Sequence, residues 1–316
     1  MPDLLANIGR TPLVPLRQIA AGLPVPVLVK CEHMNPGGSV KDRIALAIVD
    51  DAEARDVLHP GDTLVEATAG NTGVGLALVA AVRGYRLVCV MPEKMSVDKR
   101  TVLRSLGARV EVVPNAPPTS PDNFRNVAER MAEQHGWFNT DQFRNPANAL
   151  VHEQTTGPEI VEQTLGRIGA FVAGVGTGGT LTGVGRCLRA KVPHARVVLA
   201  DPVGSALADW IETGRLGLDG SYQVEGIGGS TVPENLDRQV VDEAMRVTDE
   251  ESFAMARRLV REEGLLVGGS AGTNVVAALR LAARGGLDGP VVTVLPDSWD
   301  RYRAQPWMQA WGQPAC

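Results

Sequence analysis

Apolar and polar positions along the chain form short apolar runs that alternate with longer amphipathic segments. Runs such as TLVEA and AFVAGV are almost continuously apolar, which predicts buried strands. The longer segments repeat apolar residues at helical spacing and therefore predict helices. The predicted strands cover 63–67, 86–91, 108–113, 170–175, 195–201 and 290–295. The predicted helices cover 40–55, 71–82, 96–106, 121–135, 178–190, 249–263 and 271–283.

Strands that alternate with helices of this length are typical of βαβ units and parallel sheets. A chain of 316 residues is long enough for about two domains. We therefore expect two α/β lobes, with ligands bound beyond the carboxyl ends of the strands. The proline-rich stretch 114–121 and the loop-like stretch 213–233 are the candidate linkers.

Composition and charge narrow the class of protein. Hydrophobic residues make up 44% and charged residues 21% of the chain, which argues against a disordered or fibrous protein. The net charge is −5 and no basic stripe occurs, so we expect no nucleic-acid partner and no membrane partner. The four cysteines form no C-x-x-C pair, which favours a reduced, cytoplasmic protein without a metal site. They are Cys31, Cys89, Cys187 and Cys316.

Four glycine-rich segments each precede a predicted helix. They are NPGGSVKDR (35–43), EATAGNTG (66–73), GVGTGGTLTG (174–183) and GGSAGT (268–273). The beginning of a helix presents free N–H groups and positive partial charge, so each segment is a candidate anion site. One such segment alone can be explained as a tight turn, but four in one chain favour ligand binding.

One of these segments also supports a different cofactor. Gly174, Gly176 and Gly179 satisfy G-x-G-x-x-G after a strand, and Asp201 lies 22 residues beyond Gly179. This spacing is typical of a dinucleotide-binding fingerprint. An NAD-dependent oxidoreductase is therefore an alternative, although it assigns no role to the first two segments.

Pyridoxal phosphate chemistry uses all four segments. It requires a lysine for a Schiff base, a cradle for the phosphate, polar partners for the ring and an anion site for the substrate carboxylate. Lys41 follows a glycine-rich turn at a helix start, where positive potential and burial lower the pKa of an amine. The alternative for Lys41 is a solvated side chain paired with Asp42.

The segments NPGGSVKDR, TAGNTG, GTGGT and GGSAG, in this order, resemble the β-family of pyridoxal-phosphate enzymes. This family contains the cysteine synthases (O-acetylserine sulfhydrylases) and the cystathionine β-synthases. KCEHMNPGGSVKDRI, RGYRLVCVMPEKMS and EEGLLVGGSAG are most similar to the cystathionine β-synthase catalytic core. The resemblance implies fold type II, with two α/β lobes, mostly parallel twisted sheets and the cofactor in the cleft between the lobes. It places the smaller lobe at 40–145 and the larger lobe at 1–39 plus 146–316.

The resemblance also implies roles for individual residues. Lys41 would bind the cofactor and act as the catalytic base, Asn71 would bind the ring hydroxyl, and Ser270 would face the pyridine nitrogen. The phosphate would be held by Gly176, Thr177, Gly178, Gly179 and Thr180. The substrate would be bound by Thr68, Ala69, Asn71, Thr72, Gln142 and Gly226.

The implied reaction is β-elimination from serine or an O-activated serine through an aminoacrylate, followed by addition of a thiol. A neutral hydroxyl at Ser270 would favour elimination over transamination. Serine and homocysteine would give cystathionine, whereas O-acetylserine or O-phosphoserine with sulfide would give cysteine. A related natural-product enzyme is a further alternative. Two positions depart from the relatives: Ala69 replaces a serine, and Gly229 replaces the tyrosine of animal cystathionine β-synthases. The resemblance implies a cytoplasmic homodimer.

Overall fold

The computed structural model describes residues 3–68 and 70–312. The chain divides into two compact units, and each unit is built from two segments of the chain. Unit 1 consists of Met1–Ile8 and Asn35–Asn148, and unit 2 consists of Gly9–Met34 and Ala149–Cys316. The expected smaller lobe, 40–145, lies inside unit 1, which also contains residues 1–8, 35–39 and 146–148 of the expected larger lobe.

Strands and helices alternate in both units. The strands are β1 (Leu13–Pro15), β2 (Val27–Lys30), β3 (Thr63–Ala67), β4 (Arg86–Pro92), β5 (Arg109–Val113), β6 (Phe138–Asn139), β7 (Ala170–Ala173), β8 (Arg196–Pro202), β9 (Glu243–Val247) and β10 (Val291–Val294). The α-helices are α1 (Lys41–Ala54), α2 (Asn71–Arg83), α3 (Val97–Ser105), α4 (Phe124–His135), α5 (Ala147–Val151), α6 (Gly157–Gln163), α7 (Gly179–Lys191), α8 (Leu207–Thr213), α9 (Asp249–Glu262), α10 (Gly269–Arg284) and α11 (Pro306–Gln309). A π-helix, His152–Thr156, joins α5 to α6.

The sheet of unit 1 has the strand order β5-β4-β3-β6, and every pairing in it is parallel. Residues of α1 and α2 cover one face, where Leu64 and Cys89 are buried. Residues of α4 cover the other face, where Val65 and Val88 are buried. Because both faces are covered, all five residues of β3 are buried, as its continuous apolar run predicts.

The sheet of unit 2 has the strand order β1-β2-β10-β7-β8-β9. Its pairings are parallel except for the antiparallel pair at the edge, β1 with β2. One face packs on α9 and α10 in a cluster that includes Val172 and Val275. The other face packs on α7 in a cluster that includes Phe171 and Leu181. The expected α/β architecture with mostly parallel sheets is confirmed.

The hydrophobic pattern located the long elements better than the short ones. Each predicted strand and helix matches an observed one to within about three residues at either end. The pattern missed strands of two to five residues, namely β1, β2, β6 and β9, and short helices such as α8 and α11. These pieces are too short to show a periodicity, and edge strands such as β1 and β9 pair on one side only.

Candidate functional site

Lys41 is the first residue of α1 and follows a glycine-rich turn in unit 1. Its backbone N–H donates to Ser39 Oγ at 3.2 Å. The turn is closed by the buried Asp42, whose Oδ2 accepts the N–H of Gly37 at 2.5 Å. The turn therefore places Lys41 at the positive end of a helix.

The start of α1 lies against α2. A Cβ atom on Gly75 of α2 would lie 3.0 Å from the carbonyl oxygen of Lys41, so a glycine permits this close approach. Within unit 1, the glycine-rich segment 35–43 therefore lies next to α2, the helix that follows the segment 66–73.

The second predicted segment leads into α2, which begins at Asn71. Gly70 precedes it with a φ of 146°, a backbone conformation that favours glycine. The N–H groups of Gly70 and Gly73 donate to the buried Thr68 Oγ1 at 3.0 and 3.3 Å. Thr68 thus shapes the turn by accepting backbone hydrogen bonds.

Gln142 is linked to the first turn of α2 by its side chain. Thr72 Oγ1 donates to Gln142 Oε1 at 2.6 Å. Gln142 Nε2 donates to Glu66 Oε1 at 2.9 Å and to the carbonyl oxygen of Ala67 at 3.2 Å. Thr140 Oγ1 donates to the other oxygen of Glu66. We call Glu66, Thr72, Thr140 and Gln142 the Glu66 network.

Glu66 is a residue that the sequence analysis missed. It is fully buried on β3, and this burial raises the pKa of its carboxyl to about 7, although hydrogen bonds from Thr140 and Gln142 oppose the rise. The available signal was a charged residue inside the otherwise apolar strand TLVEA. A carboxylate in such a position requires partners, and polar residues distant in sequence provide them.

The third predicted segment, in unit 2, forms the turn that leads into α7. Gly178 is the N-cap residue, with a left-handed φ of 90°, and a Cβ there would lie 2.7 Å from the backbone nitrogen of Leu236. A Cβ on Gly176 would collide with the carbonyl oxygen of Gly226. The turn thus has no room for side chains at these positions, and the first N–H groups of α7, from Gly179 onward, have no acceptor within the helix. These features fit an anion such as phosphate.

His152 supports this turn and was also missed by the sequence analysis. It is buried, and its Nε2 lies 3.2 Å from Thr180 Oγ1 while its Nδ1 lies 2.8 Å from Thr156 Oγ1. His152 and Thr156 are the ends of the π-helix, a feature that is frequent at functional sites. A lone histidine in HEQTT gives no sequence signal for this contact.

Gly226 lies beside the same turn. It has a φ of 86°, and the N–H of Gly228 donates to the carbonyl oxygen of Val175 at 2.8 Å. This bond holds the loop that contains Gly226 next to the turn that leads into α7. Within unit 2, the structure therefore brings Gly226 next to the predicted phosphate-binding turn that precedes α7.

Ser270 is the second residue of α10, and 3% of it is exposed. The helix is capped by Gly268 rather than by this serine, and within residues 3–68 and 70–312 no group is hydrogen-bonded to the Ser270 hydroxyl. One turn further along α10, Asn274 Oδ1 accepts the N–H of Gly174 at 2.7 Å. The start of α10 is therefore tied to the strand end that leads to the third segment.

Asp201, the acid required by the dinucleotide alternative, has a different role. It is fully buried at the end of β8, and its Oδ2 accepts the N–H of Ala208 in α8 at 2.8 Å. Burial raises the pKa of its carboxyl to about 6. A buried carboxyl that is engaged with a helix does not provide the accessible acid that ribose recognition needs.

The predicted residues thus form two sets. Unit 1 holds Lys41, Thr68, Asn71, Thr72 and Gln142, and unit 2 holds Gly176, Thr177, Gly178, Gly179, Thr180, Gly226 and Ser270. Ala69 lies outside the described residues.

Membrane-spanning helices and metal-binding groups were sought among the described residues. None of the helices formed by residues 3–68 and 70–312 has the length and apolarity needed to cross a bilayer. The same residues contain no group of three histidine, cysteine or acidic side chains arranged to hold a metal ion.

Comparison with known proteins is consistent with a phosphate-bearing cofactor. The model of the family "Pyridoxal-phosphate dependent enzyme" matches residues 4–297. Cystathionine β-synthase of Oryctolagus cuniculus is 46% identical over 309 residues, which cover 96% of this chain and 56% of the relative. The chain thus spans about half the length of that relative. Cysteine synthase of Staphylococcus aureus is 42% identical over 300 residues, which cover 95% of this chain and 94% of the relative.

A solved structure, that of an O-ureido-L-serine synthase, superimposes with a TM-score of 0.91 at 40% sequence identity. The match covers 100% of this chain and 97% of that protein. At this identity the similarity extends beyond the fold to the family.

Proposed function

The chain belongs to the family of pyridoxal-phosphate-dependent enzymes, and on this basis we propose that it catalyses β-replacement on serine or an O-activated serine. The group on Cβ leaves, and a thiol takes its place. The specific form that we propose is the synthesis of cystathionine from L-serine and L-homocysteine. The observation that carries the reaction type is the hydroxyl of Ser270 at the start of α10, which bonds to no described residue although only 3% of the residue is exposed.

Pyridoxal phosphate is the cofactor of this family, and the residues present fit its phosphate. Gly176, Thr177, Gly178, Gly179 and Thr180 would hold the phosphate through backbone N–H groups and the two hydroxyls. The fit rests on the absence of side-chain space at Gly176 and Gly178 and on the donors at the start of α7. When bound, pyridoxal phosphate withdraws electrons from Cα of the amino acid.

Lys41 would attach the cofactor through Nζ and then act as the catalytic base. A lysine is a base only in its neutral form, and the helix start and partial burial of Lys41 favour that form. In our proposal Nζ accepts the Cα proton of the amino acid and later returns it. One amine thus takes and returns the Cα proton, and the proton of the thiol leaves with the departing group, as water when that group is the hydroxyl of serine.

Ser270 would accept or donate a hydrogen bond at the pyridine nitrogen, and Asn71 would bind the ring hydroxyl. A hydroxyl carries no charge, so it cannot keep the ring nitrogen protonated as a carboxylate would. With this neutral partner the ring would draw less electron density away from Cα, which would favour loss of the Cβ substituent. This is the physical reason for proposing β-replacement rather than transamination.

The substrate carboxylate would lie at the first turn of α2, close to Thr68, Ala69, Asn71, Thr72 and Gln142, with Gly226 beside the cofactor. Thr68 Oγ1 accepts two backbone N–H groups, and Thr72 donates to Gln142. We therefore infer that backbone N–H groups in the first turn of α2 supply most of the carboxylate binding.

The substrate pair is supported by the 46% identity to a cystathionine β-synthase over nearly the whole chain. The alternative is a cysteine synthase, and the Staphylococcus aureus relative supports it because the match covers nearly all of that protein. A second alternative is natural-product β-replacement, supported by the high TM-score with an enzyme named for O-ureido-L-serine.

The deciding experiment compares kcat/KM for L-serine with L-homocysteine against O-acetyl-L-serine or O-phospho-L-serine with sulfide. We expect the first pair to be preferred. A tenfold preference for a sulfide pair, about 1.4 kcal/mol in activation free energy, would assign the protein as a cysteine synthase instead. Activity with neither pair, but with another nucleophile and O-acetyl-L-serine, would favour the natural-product alternative.

Two further parts of the proposal are separately testable. Borohydride reduction followed by peptide mapping should place the cofactor label on Lys41, and a label on another lysine would contradict its role. We also propose a cytoplasmic homodimer. Light scattering on the purified protein should give twice the mass of one chain.

A further inference from the structure

Glu66 is fully buried and makes its hydrogen bonds to neutral groups. Its partners are the hydroxyl of Thr140 and the main-chain and side-chain N–H groups of Gln142. The charge of Arg125 acts on it electrostatically, but no lysine, arginine or histidine among residues 3–68 and 70–312 forms an ion pair in contact with it. A buried carboxyl of this kind is costly, and proteins keep such groups chiefly where they serve a site.

The contacts of Glu66 set the orientation of the Gln142 amide. When ionised, the carboxyl of Glu66 can only accept hydrogen bonds, so the amide atom that faces its Oε1 at 2.9 Å is Nε2. The carbonyl oxygen of Ala67, 3.2 Å away, makes the same demand. Gln142 Oε1 is therefore directed to the other side.

The orientation of the amide in turn sets the hydroxyl of Thr72. Its oxygen lies 2.6 Å from Gln142 Oε1, and an amide oxygen is only an acceptor. Thr72, the second residue of α2, must therefore donate its proton to Gln142, and this bond holds the two side chains together. The orientation imposed by Glu66 is passed through one amide to the first turn of this helix.

We propose that Glu66 is a positioning residue for the amino-acid substrate, acting through Gln142 and Thr72 on the carboxylate site at the start of α2. This inference rests on the proposed function, because that function assigns the start of α2 to the substrate carboxylate. It adds a residue that touches neither substrate nor cofactor.

The test is Glu66→Gln in the holoenzyme. A glutamine at this position is nearly isosteric, but it has both a donor and an acceptor. Only the longer bond to the Ala67 carbonyl oxygen would then favour one orientation of the Gln142 amide. We expect KM for L-serine to rise about three- to tenfold, the effect of one misplaced hydrogen bond, while kcat stays within about twofold. A KM change below twofold would overturn the proposal.

Val65→Ala is the matched control. It removes buried side-chain atoms from the same strand and leaves every hydrogen bond of Glu66 in place. We expect it to lower the melting temperature without raising KM. An equal rise of KM in both variants would mean that Glu66 acts only through general stability, and would overturn the proposal.

A double-variant cycle tests whether Glu66 acts through Gln142. If it does, adding Gln142→Ala to Glu66→Gln should raise KM little beyond the effect of Gln142→Ala alone. If the KM increases of the two single variants multiply in the double variant, Glu66 does not act through Gln142.

Failure of the proposed function gives a different result. In that case wild-type protein would show no β-replacement with serine or an O-activated serine, although cofactor absorbance is present. An active wild-type enzyme whose KM is insensitive to Glu66→Gln contradicts only the positioning role.

Discussion

The two units build their parts of the candidate site in different ways. In unit 2 the turn before α7 consists of backbone, and glycines at 176 and 178 leave no space for side chains. In unit 1 the start of α2 is arranged by side chains. Thr68 Oγ1 accepts the backbone N–H of Gly70, and the Glu66 network orients the hydroxyl of Thr72. A phosphate group needs several convergent N–H donors, which backbone supplies. An amino-acid carboxylate beside a reacting carbon needs exact placement, which a side-chain network can adjust.

This difference has consequences for mutation. We expect a side chain in unit 1 to be alterable with graded effects on the proposed substrate binding, because the backbone remains in place. A glycine in the unit 2 turn tolerates little, because any side chain meets backbone atoms that cannot move independently. Four substitutions test this contrast, beginning with the largest expected effect.

Lys41→Ala removes the proposed base in unit 1. We expect kcat to fall by at least about 10³-fold, because general acid–base catalysis alone contributes factors of this order. Steady-state assays with L-serine and L-homocysteine measure the change. Lys191→Ala, at the last residue of α7, is the control for loss of a lysine. Retention of a tenth of the wild-type kcat in Lys41→Ala would refute the assignment of Lys41.

Gly178→Ala introduces a side chain into the unit 2 turn. The new Cβ would lie 2.7 Å from the Leu236 nitrogen at a φ of 90°, so we expect about a 10- to 100-fold loss of pyridoxal phosphate affinity. Titration of the apoenzyme, followed by visible absorbance, measures this affinity. Gly166→Ala is the control, because its φ is 72° but no atom lies within 4 Å of its Cβ. Equal affinity in Gly178→Ala and wild type would show that the turn does not hold the cofactor.

Glu66→Gln also changes how stability depends on pH. The pKa of the carboxyl is raised to about 7 in the folded protein from an ordinary value of 4.5. Between these values the folded state retains a proton that the unfolded state loses, so the free energy of unfolding falls as pH rises. Between pH 4.5 and pH 8 the variant should gain about 1–3 kcal/mol relative to wild type.

Urea unfolding at a series of pH values measures this difference. Val65→Ala on the same strand is the control, because it removes no titrating group and should change stability by the same amount at every pH. A difference between Glu66→Gln and wild type that does not vary with pH would mean that Glu66 ionises normally.

Ser270→Ala is expected to have the smallest effect. Its hydroxyl bonds to no described residue, so stability should change by less than about 0.5 kcal/mol. The loss of one bond to the ring nitrogen should lower kcat/KM about two- to tenfold. Ser252→Ala is the opposite case, since that hydroxyl lies 2.8 Å from Thr273 Oγ1 and its loss should destabilise the protein without lowering kcat/KM. A Ser270→Ala variant that behaves like Ser252→Ala would contradict the proposed contact with the cofactor.

Several features could be predicted from the sequence because their physical cause is local. The strand at 63–67 and the helix that starts at Asn71 follow from an apolar run, a glycine turn and helical spacing. The anion-type turn before α7 could be predicted because glycine at 178 is required by a left-handed φ. Lys41 at a helix start follows from the same local reasoning.

Other features depend on residues that are distant in sequence. Gln142 bonds to Glu66 across 76 positions and to Thr72 across 70, and Thr180 meets His152 across 28. Neither periodicity nor motifs predict such contacts, because each partner, taken alone in the sequence, is an ordinary polar residue. The cap of α10 could not be assigned either, since Ser270 and Gly268 are both good N-cap residues and the fold uses Gly268.

The sequence by itself therefore determined the order of the longer strands and helices, the four glycine-rich segments at helix starts and the position of Lys41, because backbone preference and local hydrophobic spacing act within a few residues. Only the tertiary structure decided that Glu66 orients Gln142, that His152 supports Thr180 and that Asp201 is buried against α8. Hydrogen bonds to a buried polar group must come from whatever the fold brings within about 3 Å of it. The sequence places a polar residue in the core, and the packing of the sheet determines which residue satisfies it.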